Sequence, residues 1–316
     1  TPRWPPGSRW PWPARRAEPV SAAPPPRVTV VGDVGLDVRC RLTAALAPGD
    51  DTPARITAHP GGAGGNTAAW LADLGVRVGL IARVGDDEAG RTAATELGAR
   101  GVGCRFVVDP QHPTCRVVVL LGPDGDRTMV SDRGANAALH PDDIRLTDPG
   151  APGHLHLSGY VLLDEASRPA GRAALARAAA AGWSTSVDPQ TAAGLSAVGA
   201  DTFLEWVRGV DLLLPNDTEL AALGGPAAAL AVVRAVAVTH GRQGATWFAG
   251  TEQRRAVVER VDDTDSTGAG DAFNAGFLAA WLHGAEPGAA LAAGVRAGTR
   301  VAGAAGARPV LDGPAG

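Results

Sequence analysis

The second half of the chain alternates short apolar runs with helix-like segments, and this alternation constrains the fold more than any other feature of the sequence. After residue 150 the strand-like runs are HLHLSGY, STSVDP, VDLLLPN and AVAVTHG, and the alanine-rich stretch 165–182 separates the first two. Strands that alternate with helices form βαβ units, whose parallel sheet is covered on both faces. The sequence therefore predicts an α/β fold with a mostly parallel central sheet between two helical layers.

The first half contains a β-rich part that does not follow this alternation of strands and helices. A β-branched run, RVTVVGDVGLDV, begins at Arg27 and predicts the first buried strand. Further on, CRVVVLLGPDGDRTMVSD predicts two strands joined by a Pro-Asp-Gly turn. We expect the segments near 38–60 and 104–133 to form a small β-sheet beside the main one, within a domain that spans 27–316.

Residues 1–26 have a composition of their own. They hold nine prolines, three tryptophans and four arginines, with no helical or strand period. Such a segment cannot bury enough apolar surface to order itself, so we expect a disordered arm. Two alternatives stay open, a docking segment that uses its tryptophans and an upstream-extended gene start.

The composition excludes several chemistries. Every basic residue other than histidine is arginine, so the chain has no lysine for a phosphate-binding loop, a Schiff base or a general base. The net charge of -4 shows none of the excess positive charge that is typical of proteins that bind nucleic acid. Three cysteines without CxxC spacing predict neither disulfides nor a zinc site, which fits a reducing cytoplasm. No apolar run is long enough for a membrane span, so no membrane partner is expected.

The stretch DTDSTGAGDAF, residues 263–273, places three small residues directly before a carboxylate and an apolar run. The run predicts a buried helix that ends at His283 and Gly284, and the first amides of that helix would face an anion. Asp271 then has two interpretations. It either caps the helix, or it accepts a proton from an attacking hydroxyl while the amides of Gly268, Ala269 and Gly270 stabilise negative charge.

Several other polar motifs also have an ordinary structural interpretation. Asp33 and Asp37 follow the first strand, where they are either turn residues or ligands collected at the carboxyl end of a sheet. The loop GGAGGN is a turn that leads into a helix from about Asn66 to Leu74, with Asn66 as its N-cap. Thr239, Gly241 and Gly244 lie in VTHGRQGA, which is typical of a hairpin or a strand exit.

Three further pairs of side chains remain to be interpreted. Asn216 and Glu219, in PNDTE, have the spacing of a capping box. Arg133 and Asn136 follow the predicted hairpin, and in a chain without lysine this arginine is a candidate to approach a phosphate or an acidic sugar. His154 and His156 alternate on a predicted strand and share a face, but no third ligand accompanies them, so we interpret them as core or site-lining residues.

Two long motifs together carry a family resemblance. The stretches GGAGGNTAAWLADLGVRVGLIARVGDDEAG and DTDSTGAGDAFNAGF resemble the two signatures of the ribokinase-like (PfkB) carbohydrate kinases, in the order of that family. The resemblance covers essentially all of residues 27–311. It implies a ribokinase-like three-layer α/β/α fold with a small β-lid, ATP and Mg²⁺ as cofactors, Asp271 as the base that deprotonates a sugar hydroxyl, and an anion hole at residues 268–270.

The resemblance also implies roles for the other motifs. It assigns sugar binding to Asp33, Asp37, Gly61, Gly62 and Asn66. It assigns the nucleotide to Thr239, Gly241 and Gly244, and the positioning of magnesium, through water, to Asn216 and Glu219. It places a monovalent cation, potassium, near Asp265 and Thr267. One departure matters: Ala63 stands where ribokinase itself usually has lysine, which puts ribose specificity in doubt.

The expected function is therefore an ATP-dependent kinase that acts on a sugar hydroxymethyl group. A nucleoside kinase of the same fold and a non-catalytic sugar-binding protein on this scaffold stay as alternatives. A Rossmann dehydrogenase is excluded because no GxGxxG follows the first strand. The lid sheets of relatives often pair, which implies a homodimer by analogy. The sequence leaves open which sugar and which hydroxyl group react.

Overall fold

The computed structural model describes residues 27–124, 126–146, 151–258, 267–301 and 306–310. The predicted arm, residues 1–26, lies outside the described residues. The strands are, in chain order, β1 (Arg27–Val31), β2 (Gly35–Leu42), β3 (Ala54–Gly61), β4 (Arg77–Gly85), β5 (Gly103–Asp109), β6 (Cys115–Leu121), β7 (Arg127–Asp132), β8 (His154–Ser158), β9 (Ser184–Asp188), β10 (Leu212–Leu213), β11 (Ala235–Thr239), β12 (Ala245–Ala249) and β13 (Glu252–Ala256).

Helices cover the sheet and connect its strands. They are α1 (Ala63–Asp73), α2 (Glu88–Ala99), α3 (Tyr160–Leu163), α4 (Arg168–Ala180), α5 (Ala192–Val198), α6 (Ala200–Trp206), α7 (Asp217–Ala222), α8 (Gly225–Leu230), α9 (Ala269–Leu282) and α10 (Pro287–Val301). Short 3-10 helices occupy Gly134–Ala138, Pro141–Asp143 and Gly241–Gln243. None of the described helices is long and apolar enough to cross a membrane.

A large sheet forms the centre of the fold, as the alternation of strands and helices predicts. Its order is β13-β12-β11-β10-β9-β8-β1-β4-β5, parallel from β11 to β5 and antiparallel at β12 and β13. Successive residues of a strand face opposite layers. Val30 thus packs with α9 and α10 residues such as Phe277, whereas Val31 packs with Phe203 on the other face.

The small sheet has the order β3-β2-β6-β7. The predicted turn does join two antiparallel strands, β6 and β7. The sequence interpretation was wrong for the start of the second segment. Residues 104–109 belong to β5, which pairs in parallel with β4 at the edge of the large sheet, so the contribution to the small sheet begins at Cys115.

Helix α1 begins three residues earlier than predicted, at Ala63, so the N-cap is Gly62 and not Asn66. Gly62 has a φ of 89°, a backbone conformation that glycine adopts without strain. A Cβ on Gly64 would lie 2.8 Å from the backbone nitrogen of Asp33. The glycines therefore allow the start of α1 to press against the loop that follows β1, and Asn66 is carried into the helix.

Candidate active site

A cleft of about 800 Å³ lies between the small sheet and the carboxyl ends of the large sheet. Most of the residues singled out in the sequence line it: Asp33, Asp37, Gly62, Asn66, Arg133, Asn216, Glu219, Thr239, Gly241, Gly244, Thr267, Gly268, Ala269, Gly270 and Asp271. Gly61 and Asn136 do not line it, and Asp265 lies outside the described residues. The structure thus brings residues that are far apart in the sequence into one cavity.

Asp271 lies in the first turn of α9 and does not cap the helix. The N-cap is Gly268, and Asp271 Oδ2 instead accepts a hydrogen bond from Asn66 Nδ2 at 2.9 Å. Burial raises the pKa of Asp271 to about 7, against the lowering effect of the Asn66 hydrogen bond. The nearby carboxylates of Asp37 and Asp33 also raise this pKa, and Arg308 lowers it. The carboxyl group can therefore take up and release a proton near neutral pH.

The three small residues before Asp271 shape the start of α9. Gly268 has a φ of 86°, and a Cβ there would lie 2.5 Å from Ala307 Cβ, so only glycine fits. Gly270 has open space where its Cβ would be. The first amides of a helix lack intrahelical partners and carry the positive end of the dipole. This opening beside the cleft is suited to an anion.

Asp33 and Asp37 lie at the end of the cleft next to the small sheet. Asp33 is buried, accepts a hydrogen bond from Ser158 Oγ at 3.0 Å and forms an ion pair with Arg133 Nη2 at 2.9 Å. Burial raises the pKa of Asp37. The Asp37 carboxylate occupies the space that a side chain on Gly61 would need. Gly61 therefore acts on the cleft through the room that it leaves for Asp37.

Asn136 contacts the loop that follows β1 and not the cleft itself. Its Nδ2 donates to the carbonyl oxygen of Val34 at 3.0 Å, and its Oδ1 accepts from the Val34 N–H at 3.4 Å. Both ends of the amide are thus engaged by the backbone next to Asp33. Asn136 therefore fixes the loop between β1 and β2, and this loop carries Asp33.

Asn216 and Glu219 form the capping box that their spacing predicts, at the start of α7. Asn216 Oδ1 accepts from the Glu219 N–H, and the Glu219 carboxylate accepts from both the N–H and the Nδ2 of Asn216, at 2.8 to 2.9 Å. The backbone N–H of Thr239 donates to Pro215 at 3.0 Å, which ties the end of β11 to this box. The 3-10 turn Gly241–Gln243 follows directly.

Asp188 is a site residue that sequence reasoning missed. It ends β9, lines the cleft and accepts a hydrogen bond from Asn274 Nδ2 at 2.6 Å. Burial, together with Glu219 and Asp271, raises its pKa well above the usual value. The signal was available in STSVDP, since Asp188 ends a buried strand as Asp33 follows one. Tyr160 and Arg127, which also line the cleft, were missed because nothing in their local sequence marks them.

The described residues give no support to a potassium site near Thr267. Thr267 Oγ1 accepts a hydrogen bond from Arg127 Nη1 at 2.9 Å, so a positive group already lies beside it. In the part of the chain that the structure describes, no group of three His, Cys, Asp or Glu side chains is placed to hold a metal ion. His154 and His156 lie in the core, as interpreted from the sequence, where they hydrogen-bond Ser184 and Ser186.

Comparisons with known proteins show the family to which the chain belongs. The pattern of the pfkB family of carbohydrate kinases matches residues 26–312. An ATP-dependent ribose-1-phosphate kinase of Halopiger xanaduensis is 36% identical, over 90% of this chain and 96% of that protein. The solved adenosine kinase of Sinorhizobium meliloti is 26% identical, with a TM-score of 0.81 over 90% and 96% of the two chains. An E. coli protein provisionally called ribokinase II, solved with ATP and Mg²⁺, is 26% identical, with a TM-score of 0.76 over 88% and 94%.

Proposed function

Because the chain belongs to the pfkB family of carbohydrate kinases, we propose that it transfers the γ-phosphoryl group of ATP to a hydroxymethyl group of a sugar. Its fold is ribokinase-like, as the sequence predicted. One observation carries the proposal: a carboxyl group with a pKa of about 7, Asp271, lies in a cleft of about 800 Å³ at the first turn of a helix, directly after three small residues.

Asp271 is the general base in this proposal. A base works best when its pKa lies near the working pH, which holds for Asp271. Asn66 holds Oδ2, so Oδ1 accepts the proton of the sugar hydroxyl. The hydroxyl oxygen then bonds to the γ-phosphorus in line with the bond to ADP that breaks. The amides of Gly268, Ala269 and Gly270 and the dipole of α9 stabilise the negative charge on the transferring group.

The sugar lies against the small sheet in this arrangement. In their ionised form the Asp33 and Asp37 carboxylates accept hydrogen bonds and donate none. They therefore suit a sugar, whose hydroxyl groups supply many donors. Asn66 adds an amide, Gly61 leaves room for the Asp37 carboxylate, and Gly62 leaves room for the backbone of Asp33 and Val34 beside the sugar. We propose that the small sheet acts as a lid that keeps water from competing for the phosphoryl group.

The nucleotide lies along Thr239, Gly241 and Gly244 in this proposal. The carboxylates nearby fit a magnesium ion held through water, because Glu219 lines the cleft and its carboxylate already accepts hydrogen bonds from Asn216. The E. coli neighbour was solved with ATP and Mg²⁺. When bound, magnesium neutralises charge on the phosphates. Asp188 and Glu219 are the carboxylates that would orient its water.

Two observations favour other substrate classes, namely sugar phosphates and nucleosides. The Halopiger relative acts on ribose 1-phosphate, and here Arg133 lies at the sugar end of the cleft. The Sinorhizobium neighbour is an adenosine kinase, and Tyr160 and Phe273 line the cleft of this chain. Asp271, with its pKa near neutrality, favours an enzyme over a non-catalytic sugar-binding protein.

The test is release of ADP from ATP and magnesium across neutral sugars, sugar phosphates, sugar acids and nucleosides, with Asp271→Asn run alongside. We expect turnover with a sugar or a sugar phosphate that disappears in the variant. Turnover with a nucleoside alone would replace the proposal by the nucleoside kinase. Binding of a sugar without turnover, with equal ATP hydrolysis in both proteins, would favour the binding protein.

We also propose that two copies pair through the outer face of the small sheet. Asp37 on β2 faces the cleft, so Leu36 and Val38 project from the opposite face. Ile56 on β3 and Val130 on β7 project from that face as well, with 64% and 58% exposure. The family analogy makes a second copy the natural partner of this apolar face.

A further inference from the structure

We infer that Arg308 is a positioning residue for Asp271: it orients the Asn66 amide that holds the carboxylate and keeps a positive charge behind it. The inference rests on the proposed role of Asp271. Arg308 belongs to the segment 306–310, and the sequence predicts no role for this arginine. It acts through Asn66 and lies outside the lining of the cleft.

The Arg308 guanidinium is buried in a set of directed contacts. Its side chain is 4% exposed, and its Nε donates to Asn66 Oδ1 at 3.1 Å. Nη2 donates to the carbonyl oxygen of Gly61 at 2.8 Å, and Nη1 forms an ion pair with Glu96. Three of its nitrogens thus have separate partners, one of which is the residue that binds Asp271.

These contacts decide which way the Asn66 amide points. A guanidinium can only donate hydrogen bonds, so it must face the oxygen of the amide. The NH₂ group of Asn66 is thereby turned toward Asp271 Oδ2, to which it donates at 2.9 Å. With the amide reversed, its oxygen would face the carboxylate and repel it. Arg308 therefore keeps the NH₂ group of Asn66 on one oxygen of the Asp271 carboxylate, and the other oxygen is left to face the substrate.

The segment around Arg308 is itself tied down from two sides. Trp70 Nε1 on α1 donates to the carbonyl oxygen of Ala307 at 2.9 Å, and Arg100 Nη1 donates to that of Pro309 at 2.8 Å. A Cβ on Gly65 would lie 2.5 Å from Arg308 Nη2, so glycine at this position leaves room for the guanidinium. The geometry is thus set by α1 and by the end of α2 together.

The charges that face Asp271 come from several elements. Asp33 and Asp37, beyond β1 and on β2, raise its pKa, and Asp188 at the end of β9 and Tyr160 on α3 interact with it electrostatically. Arg308 is the cation that opposes them. Since the base must be ionised to accept a proton, loss of this cation should raise the pKa of Asp271 and move the acid limb of the activity profile to higher pH.

The experiment compares Arg308→Gln with Arg100→Gln. Both variants remove a partner of Glu96 and loosen the segment 306–310, but only Arg308 contacts Asn66. The carboxyl carbon of Asp271 is followed by carbon-13 NMR against pH, and its signal is assigned by its absence in Asp271→Asn. This readout needs no turnover, so it stands even if no panel substrate is phosphorylated. With a substrate in hand, kcat and KM are measured against pH.

We expect the pKa of Asp271 to rise by about one unit in Arg308→Gln and to stay within experimental error in Arg100→Gln. The acid limb of kcat should shift by the same amount, with KM for ATP unchanged. Equal shifts in both variants, or no shift in either, would overturn the inference. Glu96→Gln covers the case in which Arg308→Gln does not fold. It leaves Arg308 with an uncompensated charge, so the pKa of Asp271 should fall, and a rise or no change would overturn the inference equally.

Discussion

At the scale of single residues, the environment of one carboxyl group sets the chemistry of the site. Asp271 has a pKa of about 7 because burial outweighs the hydrogen bond from Asn66 and the charge of Arg308. The activity should therefore rise with pH up to about 7, since only the ionised carboxylate accepts a proton. A profile of kcat/KM that is flat from pH 5 to 8 would contradict this role.

Replacing the base tests the same group directly. We expect Asp271→Asn to lower kcat by about 10²- to 10⁴-fold, the usual contribution of a general base, while the fold survives because a buried charge is removed. The matched control is Asp73→Asn on α1, whose carboxylate pairs with Arg300 at the surface. ADP release measures the activity and thermal melting measures the fold. Equal activity losses in the two variants would exclude a specific role.

Gly61 offers a prediction about binding. Alanine at this position would push the Asp37 carboxylate aside, so we expect Gly61→Ala to raise KM for the sugar about tenfold, the effect of one lost hydrogen bond to a charged group. Gly98 on α2 has open space around its Cβ position, which makes Gly98→Ala the control. That variant should leave KM unchanged and stabilise the helix by about 0.5 to 1 kcal/mol. Steady-state kinetics and denaturant unfolding measure the two effects.

At the scale of elements, strands β8 and β9 carry a buried polar ladder behind the site. His154 accepts or donates hydrogen bonds with Ser184 and Ser186, and His156 bonds Ser186, all at 2.8 Å. Burial lowers the pKa of His154 to about 3 and that of His156 to about 4. Both rings are therefore neutral in the folded protein at neutral pH.

This ladder predicts a loss of stability in acid. The unfolded chain binds protons at these rings below about pH 6.5 and the folded chain does not, so each ring lowers the free energy of unfolding by about 1.4 kcal/mol per pH unit below that point. Carboxyl groups with raised pKa values act in the opposite direction. The free energy of unfolding is therefore measured against pH between 6.5 and 5 in the wild type and in His156→Gln. The variant should lose less stability per pH unit, because one of the two buried rings is gone. Identical slopes would contradict the prediction.

The same scale shows what could be predicted from the sequence. The end of α9 was predictable because its apolar run stops at His283 and Gly284, and the β6–β7 hairpin because Pro-Asp-Gly specifies a turn. The start of α1 was not, because it depends on how closely Gly64 approaches Asp33. Arg308 was unpredictable for a similar reason, since its partners Asn66 and Glu96 are distant in the chain and meet only in the folded protein.

At the scale of the whole molecule, the outer face of the small sheet predicts association. We expect a dimer in light scattering, and we expect Ile56→Asp combined with Val130→Asp to shift it to a monomer, because burial of two charges in an apolar interface is costly. Val108→Asp is the control, since Val108 is 55% exposed on β5 of the other sheet. A wild-type monomer at micromolar concentration, or a dimer that survives the double variant, would contradict the proposed pairing.

The contact between Asn66 and Arg308 also bears on the order in which the protein becomes competent during synthesis. The two residues are separated by 242 positions, so a ribosome completes α1 and all nine described strands of the large sheet before Arg308 is made. Until then the Asn66 amide lacks the guanidinium that binds its oxygen. A nascent chain can thus acquire most of its fold before the surroundings of Asp271 are complete, and its base should reach its final pKa only after the segment 306–310 has been made and packed.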